Sequence, residues 1–363
     1  MNLGNRLQLL FNMQCDSGQG KPAKEPNSLS IIIITRNEAQ NIARTIESIL
    51  HVVEKHPETE ILLVDSASTD KTVEISKRYP INIIRLRSSW FLSAAAGRYI
   101  GTRYTKGNLI FFIDGDMELD PEWLDYSISF ALDHPEVAAV GGRLQDVYTD
   151  NGQKIGEVCD KKDPQSCIQE VNFIGGAMLC RRQTLLQVGG FQPFIKSDEE
   201  VDLCLRLRKA GYKVILLPYV TARHYCIPVK SWKGTLRRHR LNLWLGYGQL
   251  PRYYLGTSLF WAYIIEQGYF TIYFAGLFVS LVILLITLFT NEITFLGIWV
   301  LVLMTVIIFF AIKKRNLNSA LLSCLTHILI ICNIVRGFLM VPHSQSEYPT
   351  NVEIIQFHSL SQL

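Results

Sequence analysis

The chain has 363 residues, 48% of them hydrophobic, and a formal net charge of +4. That length holds one large or two ordinary domains, and so small a charge gives no footprint for nucleic acid. Eight cysteines without a CxxC pair argue against zinc and for reduced, structural thiols, with a Cys159–Cys167 bridge as the alternative.

Residues 1–27 read as a flexible tail. Leu9-Leu10-Phe11 is too short for the apolar core of a secretory signal, and the segment ends in GQGKPAKEPN. Ser30–Ile34 is then a continuous β-branched run, the mark of a strand buried on both faces. Asn37 is placed to cap a following helix whose stripe is Ile42, Ile46, Ile49 and Leu50. Glu60–Val64 reads as the second strand, and Asp70 as the cap of a helix holding Val73 and Ile75. Ile81–Leu86 is a third strand, followed by Trp90-Phe91 and a small-residue helix over about Ser93–Tyr104 that carries Arg98.

The fourth strand, Leu109–Ile113, runs directly into Asp114-Gly115-Asp116. Alternating strands and helices imply a parallel sheet with right-handed crossovers, whose ligands gather at the C-terminal strand ends. Thr35-Arg36-Asn37-Glu38, Asp65 and Asp114-Gly115-Asp116 all sit at such ends and should face one crevice. Two carboxylates around a glycine can approach one hard cation, Mg²⁺ or Mn²⁺, that leaves positions open for phosphate oxygens.

Further on, Val137–Gly142 reads as a strand, Asp150–Asp163 as a polar loop, and Phe173–Met178 as a return to the core. Asp198 is expected to cap a helix over Glu199–Ala210, closed by Gly211. Tyr212–Leu217 is the last strand, with His224 after it.

IIIITRNEAQNI, ILLVDSASTDKT, GRYIGTRYTKGNLIFFIDGDMELDP and SDEEVDLCLRLRKAGYKV, in this order, resemble the signature blocks of family 2 glycosyltransferases. The likeness covers about Ser28–His224. It implies an α/β GT-A fold with a mostly parallel, Rossmann-like sheet, and an inverting enzyme using Mg²⁺ or Mn²⁺. It also implies a nucleoside-diphosphate sugar donor, UDP-sugar favoured. By position, Thr35, Arg36, Asn37 and Glu38 would line base and ribose, and Asp65 would accept from the base N–H. Arg98 would meet base or diphosphate, Asp114 would sit near ribose and metal, and Asp116 would ligate the metal. His224 would add a metal or phosphate contact.

The general base maps to Glu200, or to Glu199 or Asp198 if the register slips by one or two. The helix dipole should keep these acids ionised. Asp202 and Arg206, four apart, read as a structural helix pair. Gly175-Gly176-Ala177 would leave room for sugar or acceptor.

The domain reading is a catalytic unit over 28–226, basic and aromatic interfacial helices over 227–266, a transmembrane region over 267–341, and a loose polar tail over 342–363. Spans are expected at about 268–290 and 293–312, with a third at 319–340. Lys313-Lys314-Arg315 after the second span would place the catalytic unit in the cytosol, on the inner membrane. Lys230, Lys233, Arg237, Arg238 and Arg240 among Trp232, Leu236, Leu241, Leu243 and Trp244 suit an anionic bilayer surface or a lipid diphosphate. The Gln-x-x-Arg-Trp motif of processive synthases is absent, which favours transfer of a single sugar to a lipid-linked or membrane-proximal acceptor, of the cell-envelope polysaccharide or glycolipid type. A polyprenyl-phosphate glycosyltransferase and a non-catalytic sugar-nucleotide-binding subunit are the alternatives.

Overall fold

The computed structural model describes residues 28–358, apart from 151–152, 160–166, 229–230, 268, 291, 302–303, 305–307 and 309–315. The expected 1–27 tail, Lys230 and the Lys313-Lys314-Arg315 signal lie outside the described residues, as does part of the expected second span.

The strands are β1 (Leu29–Thr35), β2 (Glu60–Asp65), β3 (Asn82–Arg85), β4 (Leu109–Asp114), β5 (Met117–Leu119), β6 (Val137–Asp150), β7 (Gln153–Cys159), β8 (Gln169–Glu170), β9 (Met178–Arg181), β10 (Lys213–Cys226) and β11 (Glu353–Gln356). The helices are α1 (Ile42–Val53), α2 (Thr72–Ser76), α3 (Ala94–Tyr104), α4 (Trp123–Asp133), α5 (Arg182–Gln187), α6 (Glu199–Lys209), α7 (Trp232–Arg240), α8 (Gly246–Tyr254), α9 (Ser258–Glu266), α10 (Tyr269–Thr290) and α11 (Leu317–Leu339).

One mixed sheet runs in the order β11-β3-β2-β1-β4-β9-β6-β10-β5. The pairs β1–β2, β1–β4, β2–β3 and β6–β10 are parallel, as the alternation of elements predicted. β9 runs antiparallel between β4 and β6. All seven residues of β1 are buried because helices cover both faces. Alternate side chains divide between two cores. Ile31, Ile33, Phe111 and Ile113 meet Ile42, Ile46 and Trp123 on one side. Ile32, Ile34, Ile110 and Phe112 meet Ala96, Ile100, Leu203 and Leu207 on the other.

Several local expectations are corrected. α1 begins at Ile42, and Asn37 does not cap it. Asn37 sits in the left-handed region (φ 58°), where its Oδ1 accepts the Thr69 N–H and ties the end of β1 to the loop after β2. Asp198 is also left-handed (φ 63°) and its side chain makes no cap hydrogen bond; it accepts from the Tyr263 hydroxyl instead. The loop expected at 150–163 contains β7, paired with β6. The strand expected at Tyr212–Leu217 is β10, which runs on to Cys226, so His224 lies within it and not after it, and β11 is the last strand. Two expectations match: Asp70 accepts the Thr72 N–H at the start of α2, and Gly211 (φ 91°) closes α6.

Beyond the sheet, α8 crosses α11 at glycines. A Cβ on Gly337 would lie 2.3 Å from the Leu245 carbonyl oxygen, and one on Gly248 would lie 2.0 Å from that of Ile334. Residues 341–358 are not loose. Tyr348 is 3% exposed and meets Trp90, Tyr99 and Phe194 edge-on. β11 then extends the sheet antiparallel to β3. Both depend on residues that a polar-tail reading overlooks.

Among the described residues, one helix, α11, is long and apolar enough to cross a membrane. It is the third of the expected spans. The first expected span corresponds to α10, a helix of 22 residues. Of the second, 294–301 are helical.

Candidate active site

The parallel registers Thr35↔Asp65 and Ile34↔Asp114 set the ends of β1, β2 and β4 side by side. The N-terminus of α6 reaches these ends through Arg98 of α3. Arg98 is 1% exposed. Its Nη1 donates to Glu199 Oε1 at 2.5 Å, and its Nη2 lies 2.9 Å from Asp114 Oδ1 and 3.0 Å from Glu200 Oε1. The expected contact of Arg98 with base or diphosphate is therefore corrected. Its guanidinium is used inside the protein, because burial requires an ion to be paired.

Three carboxylates around one guanidinium exceed its charge. Burial pushes Glu199 up to about 8, with the Glu200 charge adding to it. Burial likewise pushes Asp114 up to about 7, against the pull of Arg98. Asp198 rises to about 7 through burial and the Glu200 charge. The expectation that the helix dipole keeps these acids ionised thus fails for Asp198 and Glu199, since loss of water outweighs a half-charge at a helix end. Glu200 is the more open of the helix-terminal pair, with 17% of its side chain exposed against 6% for Glu199.

Asp65 is fully buried at the end of β2. Its Oδ2 accepts the Ser68 N–H and pairs with Arg85 Nε at 3.2 Å, while its Oδ1 is buried without a partner. Arg85 was missed by the sequence reading. It ends β3 in register with Asp65, so the strand-end rule that found the acids would have found it. Thr35 is buried beneath the crevice, while Arg36 and Asn37 are exposed at its rim. Burial and the Asp116 charge raise Glu38 to about 7, and Arg237 of α7 opposes them. Thus α7 brings one of its basic residues to the mouth. Trp244, expected among interfacial aromatics, is instead 4% exposed and packs under Arg238.

Asp116 and His224 face each other, with Oδ2 and Nε2 3.4 Å apart. His224 Nδ1 lies 2.9 Å from Asp146 Oδ1, a partner the sequence reading did not find. Burial opposes the His224 charge, but hydrogen bonds to Asp116 and Asp146 outweigh it and hold its pKa well above the ordinary value. Asp116 Oδ1 is buried with no hydrogen-bond partner, an atom whose hydration has been lost without replacement. Carboxylate oxygens with one imidazole fit a divalent ion of the Mg²⁺ or Mn²⁺ kind. Asp114 does not complete that set: ligand atoms of Asp114, Asp116 and His224 do not gather within 4.8 Å. Its Oδ1 is committed to Arg98 instead.

Gly175 has open space where a side chain would be, whereas a Cβ on Gly176 would come 2.8 Å from Asp114 Oδ2. Gly175 thus faces open space, and Gly176 closes against the acid. Asp202 and Arg206 form the expected helix pair, with Tyr254 donating to Asp202. Cys167 is a free thiol, and the Cys159 side chain lies outside the described residues.

Residues 30–190 match the model of glycosyl transferase family 2. The chain is similar to glycosyltransferase AglE of Haloferax volcanii, 27% identical over 259 residues, which cover 64% of this chain and 84% of that one. It is 24% identical over 224 residues to a pre-mycofactocin glycosyltransferase of Mycobacterium tuberculosis, covering 56% of this chain and 44% of that one. An uncharacterized glycosyltransferase of Haemophilus influenzae is 25% identical over 186 residues, covering 49% of this chain and 61% of its own length. The chain thus spans less than two thirds of two of these three relatives. Among solved structures, Staphylococcus aureus TarS with UDP-GlcNAc aligns at 17% identity and a TM-score of 0.45, over 59% of this chain and 65% of that one. The domain match over residues 30–190 and the named relatives together identify the protein as a glycosyltransferase.

Proposed function

We propose that the protein transfers one sugar from a nucleoside-diphosphate sugar, a UDP-sugar first among candidates, to a hydroxyl of a lipid-linked or membrane-proximal acceptor. The observation that carries this reading is two buried, unpartnered carboxylate oxygens on either side of β1: Asp65 Oδ1 at the end of β2 and Asp116 Oδ1 in the turn after β4. Asp65 Oδ1 suits an N–H donor such as the imide of uracil. Asp116 with His224 suits a divalent ion, Mg²⁺ or Mn²⁺, that would neutralise the departing diphosphate. Arg36, Asn37 and Glu38 rim the space where base and ribose would lie. Arg98 holds Asp114 and the start of α6 beneath it.

Glu200 is the base in this reading. It takes the proton of the acceptor hydroxyl as that oxygen bonds to the anomeric carbon, and the bond to diphosphate breaks on the opposite side. The anomeric configuration inverts. Glu199 is less suited, because its carboxylate is buried against Arg98.

A membrane setting is supported by the apolar length of α11 and by exposed Phe278, Leu281, Leu285, Leu288 and Phe289 along α10. In this reading the catalytic unit faces the cytosol, and the product enters cell-envelope polysaccharide or glycolipid.

The test is incubation of the purified full chain with Mn²⁺ or Mg²⁺ and a panel of nucleotide sugars, scoring nucleoside diphosphate release. Asp116→Asn should abolish release and remove the metal dependence of nucleotide binding. Release unchanged in Asp116→Asn would overturn the metal role.

A further inference from the structure

We propose that Asp146, His224 and Cys226 form a zinc site that competes with the sugar-transfer centre for His224. β10 and β6 are parallel neighbours, and His224 stands in register with Asp146. Cys226 is two residues further along β10 and so points to the same face. The three ligand atoms all lie within 4.8 Å of one another, the one such grouping among the described residues. A sequence search for CxxC overlooks it because the pair is His-x-Cys and the third ligand comes from another strand.

The donor set decides the metal class. Mg²⁺ takes oxygen ligands and has little use for a thiolate. Zn²⁺ accepts carboxylate, imidazole and thiolate together, with bonds of about 2.0–2.3 Å, and three protein ligands leave a fourth position for water. All three side chains are partly exposed, so an ion can enter from solvent. Binding displaces the Cys226 thiol proton and any proton on His224 Nδ1 into solvent, with no change of oxidation state.

His224 cannot serve both sites in its neutral form, because imidazole has one lone-pair nitrogen. Zinc on Nδ1 leaves the proton on Nε2, which faces Asp116 at 3.4 Å. Asp116 then becomes the hydrogen-bond acceptor that orients a zinc-bound histidine. The Nε2 lone pair is no longer free for an ion held by Asp116, so zinc should inhibit transfer. This inhibitory half rests on the proposed function; the binding half does not.

The test is Co²⁺ titration of the purified full chain, read as thiolate-to-cobalt charge-transfer absorption, followed by displacement with Zn²⁺. The expected result is a saturable band that Zn²⁺ removes. Cys226→Ser should lose it, Asp146→Asn should weaken Co²⁺ affinity about tenfold or more, and Asp116→Asn and Cys167→Ser should retain it. No band in the native chain, or an unchanged band in Cys226→Ser, overturns the site. In the transfer assay, the Zn²⁺ concentration for half inhibition should rise about tenfold or more in Cys226→Ser, in line with the loss of a ligand. Equal sensitivity overturns the competition. Absorption needs no turnover, so a failed transfer assay would count against the proposed function and leave the cobalt result to decide the zinc site.

Discussion

Arg98 Nη1 donates to Glu199 Oε1 at 2.5 Å, joining the middle of α3 to the first turn of α6 across 101 residues of sequence. The same guanidinium meets Asp114 and Glu200. It is the common counter-ion of the strand end and the helix end that frame the crevice. Arg98→Ala should therefore destabilise the fold by about 3–5 kcal/mol, the usual cost of leaving a buried ion unpaired. Calorimetry or denaturant unfolding would check this. The loss should be smaller at mildly acidic pH, where Glu199 and Asp114, raised to about 8 and about 7, are protonated.

Glu200→Gln should bind nucleotide normally yet lose transfer by about 10²–10⁴-fold, the span expected for a removed general base. Glu199→Gln should instead retain measurable transfer. Comparing nucleotide affinity with product formation in both variants separates the roles. The reverse ranking would move the base to Glu199.

Stability should fall as pH rises through neutrality. Glu199 moves from 4.5 to about 8 in the folded protein. Asp114 and Asp198 move from 3.8 to about 7. Each folded pKa lies above its unfolded value, so the folded state binds more protons across that window. The associated stability is present below about pH 4 and is lost by about pH 8. Without added metal, the melting temperature should drop between about pH 6 and pH 8. Glu199→Gln, which mimics the protonated acid, should flatten that slope.

Tyr348→Ala should cost about 3–5 kcal/mol, as for other large aromatic truncations in cores. The ring is buried among Trp90, Tyr99 and Phe194. Limited proteolysis should then cut within 341–358 faster than in the native chain. An unchanged cutting rate would mean the segment is held by β11 alone.

Gly337→Leu should separate α11 from α8. Even a Cβ would meet the Leu245 carbonyl oxygen at 2.3 Å, and backbone cannot move aside as a side chain can. Hydrogen exchange on the amides of α8 and α11 would report the loosening, while β1, β2 and β4 should keep their protection.

The central strands were legible because burial on both faces leaves an unbroken apolar run, as in Ser30–Ile34 and Leu109–Ile113. The acids were legible because a parallel sheet collects strand ends. Arg98 was misassigned because sequence marks it as basic but not as inward-facing; its orientation depends on α6, which follows a hundred residues later. Asp146 was missed because its importance comes from register with His224, and the length of β10 is not visible in its composition. Asn37 and Asp198 were read as caps from residue type alone. Both instead have positive φ and bond across the fold, to Thr69 and Tyr263.

Gln356 donates to the Tyr79 carbonyl from 277 residues away, and β11 covers the outer rim of β3 beside it. During translation β3 leaves the ribosome long before this partner exists, and α10 and α11 are threaded out in between. The nascent enzyme thus carries an unsaturated ladder while those helices find their place. Until β11 is made, β3 is an open sheet edge of the kind that pairs with other chains.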